Sequence, residues 1–97
     1  MDGYYPKSCA VLREAVAGRY PHAEALTDTI DGLVEPYLQA CYILWMLREL
    51  QTFRGKRMAA KRGRWLGYAQ ARAEALGLIT NAANRAATRQ DVKFRQE

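Results

Sequence analysis

Three observations predict an all-α fold for this 97-residue chain, a small domain of three to four helices built on an antiparallel helical hairpin. The first is residues 37–53, the densest apolar surface in the chain, with Ala40, Ile43, Leu44, Leu47 and Leu50 on one stripe at spacings of three and four. Leu38, Cys41, Tyr42 and Trp45 fall on a second stripe, so this central helix is apolar nearly all round and needs cover from neighbours or from a partner. The second is Arg54-Gly55-Lys56, which closes the central helix and leads at once into another helical pattern over residues 57–76; so short a turn implies antiparallel helices. The third is composition: 49% of residues are apolar and 26% charged, as in one globular domain spanning 1–97.

Residues 1–7, with Gly3 and Pro6, predict an ordered but irregular N-terminal arm anchored by Tyr4 and Tyr5. Ser8 is a good N-cap for a first helix over residues 9–19, with Val11, Leu12, Ala15 and Val16 on its apolar face and Gly18 at its end. Ala23, Leu26, Ile30, Leu33 and Val34 also have helical spacing, and Pro36 either starts the central helix or kinks a longer one that begins near Asp28. The kinked long helix is the reading adopted. In the second helix of the hairpin, Met58, Trp65, Leu66, Ala69, Ala73 and Leu76 face the central helix, and Gly77-Leu78 stops it. Ala59, Gly63, Gly67 and Ala71 recur at intervals of four along its flank. Small residues so spaced predict a close helix approach, which would offset two glycines that each cost about 1 kcal/mol against alanine. Thr80 caps a last helix over residues 81–89, and residues 90–97 are expected to fray.

Little in the chain carries chemistry. Cys9 and Cys41 lie far apart with no ligand-type neighbours, which predicts two buried thiols and neither a zinc site nor a disulfide framework. His22 is the single histidine and has no nucleophile or second ligand near it in sequence. Glu35, Glu49 and Glu74 are too dispersed to be argued into one pocket, and Glu49 is expected to pair with a basic residue of the next helix. Gly63 and Gly67 sit inside a helical pattern and follow no strand, so they form no phosphate loop. These observations predict a non-enzymatic protein with no catalytic residue, metal or cofactor. The chain opens with no secretory pattern, and its longest apolar run, residues 40–47, falls short of the roughly 20 residues of a membrane span. A cytoplasmic protein without membrane contact is expected.

Charge supplies the surface signal. The net charge is +5, and eleven of the fifteen basic residues are arginine, which suits bidentate recognition of carboxylate or phosphate. Arg54, Lys56, Arg57, Lys61, Arg62 and Arg64 form a tract with no acid, and Arg57, Lys61, Arg64, Tyr68 and Arg72 share one helix face. The candidate binding residues are therefore Arg54, Lys56, Arg57, Lys61, Arg64, Tyr68 and Arg72, and their ligand is an acidic protein surface or a phosphate backbone. A solvated helix face is the plainest alternative.

Gly55-Lys56, Arg64-Trp65-Leu66-Gly67-Tyr68-Ala69-Gln70, Gly77-Leu78-Ile79-Thr80 and Asn84-Arg85 resemble the second half of small helical accessory proteins encoded by temperate phages of Gram-negative bacteria. The resemblance spans residues 55–85 and carries no defined activity. It implies a protein that binds a host complex, as inhibitors of CRISPR, restriction or recombination nucleases do. The expected function is thus a protein-binding inhibitor or modulator of a host defence or DNA-processing complex. A sequence-indifferent nucleic-acid-binding module comes second, and a homodimeric structural protein third.

Overall fold

Pro6 and Pro36 each open a helix. Proline has no N–H to leave unsatisfied in a first turn and its φ is already helical, so both stand at the first helical position. The computed structural model describes residues 3–26 and 35–95, the last three by backbone alone. Over these it holds helices α1 (Pro6–Arg19), α2 (Pro36–Leu50), α3 (Ala59–Ala75) and α4 (Asn81–Arg95), with a 3₁₀ turn at Lys56–Met58 before α3. There is no strand among the described residues, so the all-α class holds. Helices α2 and α3 form the expected antiparallel hairpin, and α1 pairs with α4.

The hairpin turn is made by Gly55, whose φ of 89° suits glycine, and is fastened by Arg62. The Arg62 Nη1 donates to the Phe53 carbonyl and, at 3.0 Å, to the Gly55 carbonyl, while its guanidinium lies 4.0 Å from the centre of the Tyr4 ring. At the far end of α3, Gly77 (φ 73°) donates to the Glu74 carbonyl and Leu78 to the Ala73 carbonyl, both at 3.0 Å. That paired pattern is a Schellman stop, as Gly77-Leu78 predicts. Thr80 then caps α4, its Oγ1 accepting from the Ala83 N–H at 3.1 Å.

The core lies between α1 and the hairpin. Cys9, Leu12 and Val16 of α1 meet Ala40, Ile43, Leu47 and Leu50 of α2 and Leu66, Ala69 and Ala73 of α3, all buried. Burial of each large aliphatic chain here contributes about 1.5–3 kcal/mol. Both cysteines are buried, as expected. The N-terminal arm is stapled on by Gln51, which accepts from the Tyr4 N–H and donates to the Tyr4 carbonyl, each at 2.8 Å. Beyond α1, a strap over residues 20–26 crosses α2: Leu26 donates to the Cys41 carbonyl at 3.4 Å and accepts from Arg48 Nη2 at 2.8 Å. Tyr37 donates to the His22 carbonyl at 3.4 Å, and the neighbouring Cys41 thiol raises its pKa above the ordinary tyrosine value.

Several expectations are corrected. Ser8 is not the N-cap of α1; it is the third helical residue and fully buried, and Tyr5, in left-handed conformation, precedes the helix with no side-chain cap of its own. The cap comes instead from Asp91 on α4, whose carboxylate accepts from the N–H groups of Lys7 (2.8 Å) and Ser8 (2.9 Å). A carboxylate at a helix N-terminus satisfies orphan donors and complements the helix dipole. Residues 90–95, expected to fray, therefore continue α4, and the arm of residues 1–7 gives up Pro6 and Lys7 to α1. Glu35 is extended (φ −74°, ψ 130°), so α2 starts at Pro36 rather than continuing a kinked longer helix. The proposed stretch over 28–34 lies outside the described residues. Gly67 is exposed, with no atom within 4 Å of where a Cβ would stand, and Gly63 allows only an ordinary 3.7 Å contact with the Tyr5 hydroxyl. The small residues buried between the helices are instead Ala40, Ala69 and Ala73 in the core. Glu49 lies 3.9 Å from Arg48 of its own helix rather than pairing across the hairpin.

Candidate functional site

The hairpin register creates the most distinctive surface of the molecule. Gln39 faces Arg72 and Trp45 faces Trp65, a register that sets Tyr42 opposite Tyr68 on the side of the hairpin that α1 leaves uncovered. The second apolar stripe of α2 thus meets the aromatic positions of α3. Ring centroids follow one another at 5.3 Å from Tyr42 to Trp45, 5.4 Å from Trp45 to Trp65 and 4.9 Å from Trp65 to Phe53, all in tilted or edge-on arrangements. Such geometries suit the quadrupoles of the rings. All four rings are half-buried, and Tyr68 at the margin is 49% exposed.

Cations line this ladder. The Lys61 ammonium lies 4.4 Å from the Phe53 centroid and 5.9 Å from that of Trp65. The Arg72 guanidinium sits between Tyr42 (5.4 Å) and Tyr68 (4.8 Å), donating to Gln39 Oε1 at 3.1 Å and to the Tyr68 hydroxyl. Its Nε–H is buried with no acceptor among the described residues. Arg64 is exposed beside Trp65 and Tyr68, while Arg54, Lys56 and Arg57 stand exposed at the turn. Cation–ring pairs of this kind contribute about 0.5–2 kcal/mol each and hold flexible side chains in place. Among the described residues, none of these six cations has a carboxylate within ion-pair distance.

The candidate residues therefore divide. Lys61, Arg64, Tyr68 and Arg72 gather on the aromatic ladder, whereas Arg54, Lys56 and Arg57 form a separate exposed cluster at the hairpin tip. Arg62 leaves the surface tract altogether, because its guanidinium is spent on the turn carbonyls. Tyr42, Met46 and Phe53 line this face but are absent from the sequence-derived set. Trp65, expected to face the central helix, does so, set against Trp45, and both indoles pack on the core while remaining half-buried. Pairing the second stripe of α2 with α3 about the Gly55 turn was the signal that could have found them.

Between the two helices lies a groove of about 290 Å³ lined by Tyr42, Met46, Arg64, Trp65 and Tyr68. Its floor includes the nearly buried Met46, and its rim carries one cation, Arg64. A larger cleft of about 410 Å³ lies between α3 and α4, and several of its polar side chains bond across it. Gln70 donates to Thr88 at 3.0 Å and Asn84 to Glu74 at 2.9 Å, fastening the two helices together. Among the described residues no cluster of His, Cys, Asp and Glu could hold a metal ion, and no helix is long and apolar enough to cross a membrane. No protein-family model, curated protein or solved structure matches the chain, so its function is argued from this surface.

Proposed function

We propose that the protein is a non-enzymatic binding module that docks the aromatic and cationic face of its hairpin on an acidic protein surface. The observation that carries this reading is the set of cations without carboxylate partners among the described residues, two of them held on aromatic rings. Trp, Tyr and Arg are the residues that dominate interface energy, and ordering them before binding lowers the entropy lost on association. Excess positive charge selects for an acidic partner and speeds encounter with it. The resemblance of residues 55–85 to phage accessory proteins supplies the setting: a host defence or DNA-processing complex, which the protein would inhibit or redirect.

Phosphate tracking is less well supported. Proteins that bind single strands offer open ring faces on which bases stack. Here Trp45 and Trp65 pack on one another, Phe53 carries Lys61, and Tyr68 carries Arg72. Recovery of the tagged protein from a bacterial host, with and without the changes Arg57→Ser, Arg64→Ser and Tyr68→Ala, tests the reading by mass spectrometry of what accompanies it. A partner with an acidic surface should be retained by the parent and lost from the variant. The isolated protein should bind random DNA weakly at about 0.15 M salt. Tight binding whose log affinity falls with log salt by roughly 0.7–0.9 per phosphate would overturn the proposal in favour of a nucleic-acid module. A stable dimer broken by the same variant would instead favour the homodimer.

A further inference from the structure

We infer that the groove between α2 and α3 seats one large apolar side chain of an acidic peptide segment, with a carboxylate next to that anchor pairing with Arg64. This deepens the proposed function and rests on it. The groove has two chemistries. Its interior is apolar: the Met46 thioether and the rings of Tyr42 and Trp65 face a space of about 290 Å³. That is at the lower end of ligand pockets, the size for one bulky side chain rather than for a cofactor. Methionine adapts its shape to different apolar guests and makes favourable contacts with aromatic ones. The surroundings are cationic: Arg64 stands on the rim, Lys61 and Arg72 flank the same ladder, and none of the three has a carboxylate partner among the described residues.

Those two chemistries together select the occupant. An apolar guest without charge would leave Arg64 uncompensated, and an acidic guest without an anchor would leave the groove unfilled. A second copy is disfavoured, because a self-complementary interface would bring Arg64 and its neighbours in one copy toward the same cations in the other. Arg64, with its planar fork, can take a carboxylate through two parallel hydrogen bonds. Tyr68 stands at the margin with its hydroxyl already bound to Arg72, so its ring is fixed as one wall of the groove.

The chain carries its own reporter, since Trp45 and Trp65 are its two tryptophans and both belong to this face. A random dodecapeptide library selected against the intact protein should yield sequences with an aromatic or aliphatic residue one to three positions from Asp or Glu. Binding of the synthetic peptides should change tryptophan emission. Replacing the anchor by alanine should weaken binding at least about tenfold, and changing the neighbouring acid to its amide should weaken it by a similar factor in the parent. In Arg64→Ala the acid-to-amide change should have little further effect. Tyr68→Ala should weaken every peptide, while Arg85→Ala on α4 should weaken none. If the selected peptides are acidic and depend on Arg57 but are indifferent to their anchor and to Tyr68, the inference fails and the binding face stands. If peptides bind but no hairpin substitution affects them, both fail. Recovery of no peptide, or of peptides without acids, overturns the inference.

Discussion

Arg62 shows how one side chain can look like part of a binding surface and act as part of the fold. It sits in a tract of six cations, yet it is 6% exposed and donates to two turn carbonyls under the Tyr4 ring. Hydrogen bonds from a charged donor contribute about 1.5–3 kcal/mol, and losing them strands buried acceptors. Arg62→Ala should therefore cost about 2–4 kcal/mol in urea unfolding, and Arg62→Lys should recover only part of it, because an ammonium cannot stack as a plane on the Tyr4 ring. Arg57→Ala, on an exposed side chain two residues after Gly55 with no hydrogen bond to the turn, should stay within about 0.5 kcal/mol of the parent. Equal midpoints for Arg62→Ala and Arg57→Ala would remove Arg62 from the turn. Gly67 is the opposite case, a residue whose spacing suggests packing where the structure has open solvent. Gly67→Ala should stabilise the domain by about 1 kcal/mol through helix propensity alone. A loss of stability on that change would mean that something does approach α3 there.

At the scale of elements, the decisive link joins the two ends of the chain. Asp91 is 1% exposed and caps α1 across 84 residues of sequence, and Ser8 lies 3.5 Å from Thr88 through their hydroxyls. Asp91→Ala should cost about 1–3 kcal/mol, the value of a cap together with two amides left without an acceptor. Amide exchange should locate that loss, with faster exchange at Lys7 and Ser8 than across the α2–α3 hairpin; uniform exchange in the variant would argue against a local cap. This link was not legible in the sequence. Cap patterns are local to a helix start, where Ser8 fits by residue type, yet Pro6 is the stronger marker and opens the helix two residues earlier. What was legible had local causes: the inward stripe of α2, the Gly55 turn, the Gly77-Leu78 stop and the Thr80 cap are each written in residues next to the element they shape. The candidate surface was half legible. Its cations follow helical spacing, but its aromatic ladder exists only when two helices are set in register.

For the molecule as a whole, charge links stability to binding with opposite signs. The chain carries +5, and Arg54, Lys56 and Arg57 at the hairpin tip and Arg64 on the groove rim stand exposed with no carboxylate partner among the described residues. Like charges at this spacing repel, and the repulsion is screened as the Debye length falls from about 30 Å at 0.01 M salt to about 8 Å at 0.15 M. Adding sodium chloride over that range should raise the melting temperature of the free protein. Changing Arg54, Lys56, Arg57 and Arg64 to glutamine should raise it at low salt and remove most of the salt dependence, while leaving Lys61 and Arg72 on their rings. Those ring-bound cations are half-buried and less screened, so Arg72→Gln should destabilise at every salt concentration by losing its bonds to Gln39 and Tyr68. Binding of an acidic partner should respond the other way, weakening as salt rises, because the same screening removes the attraction. Circular dichroism melts and a binding titration run over one salt series would show the two trends crossing. A parent protein that melts lower as salt is added would mean that attractive pairs outweigh repulsion on this face, and the charge argument for an acidic partner would fall with it.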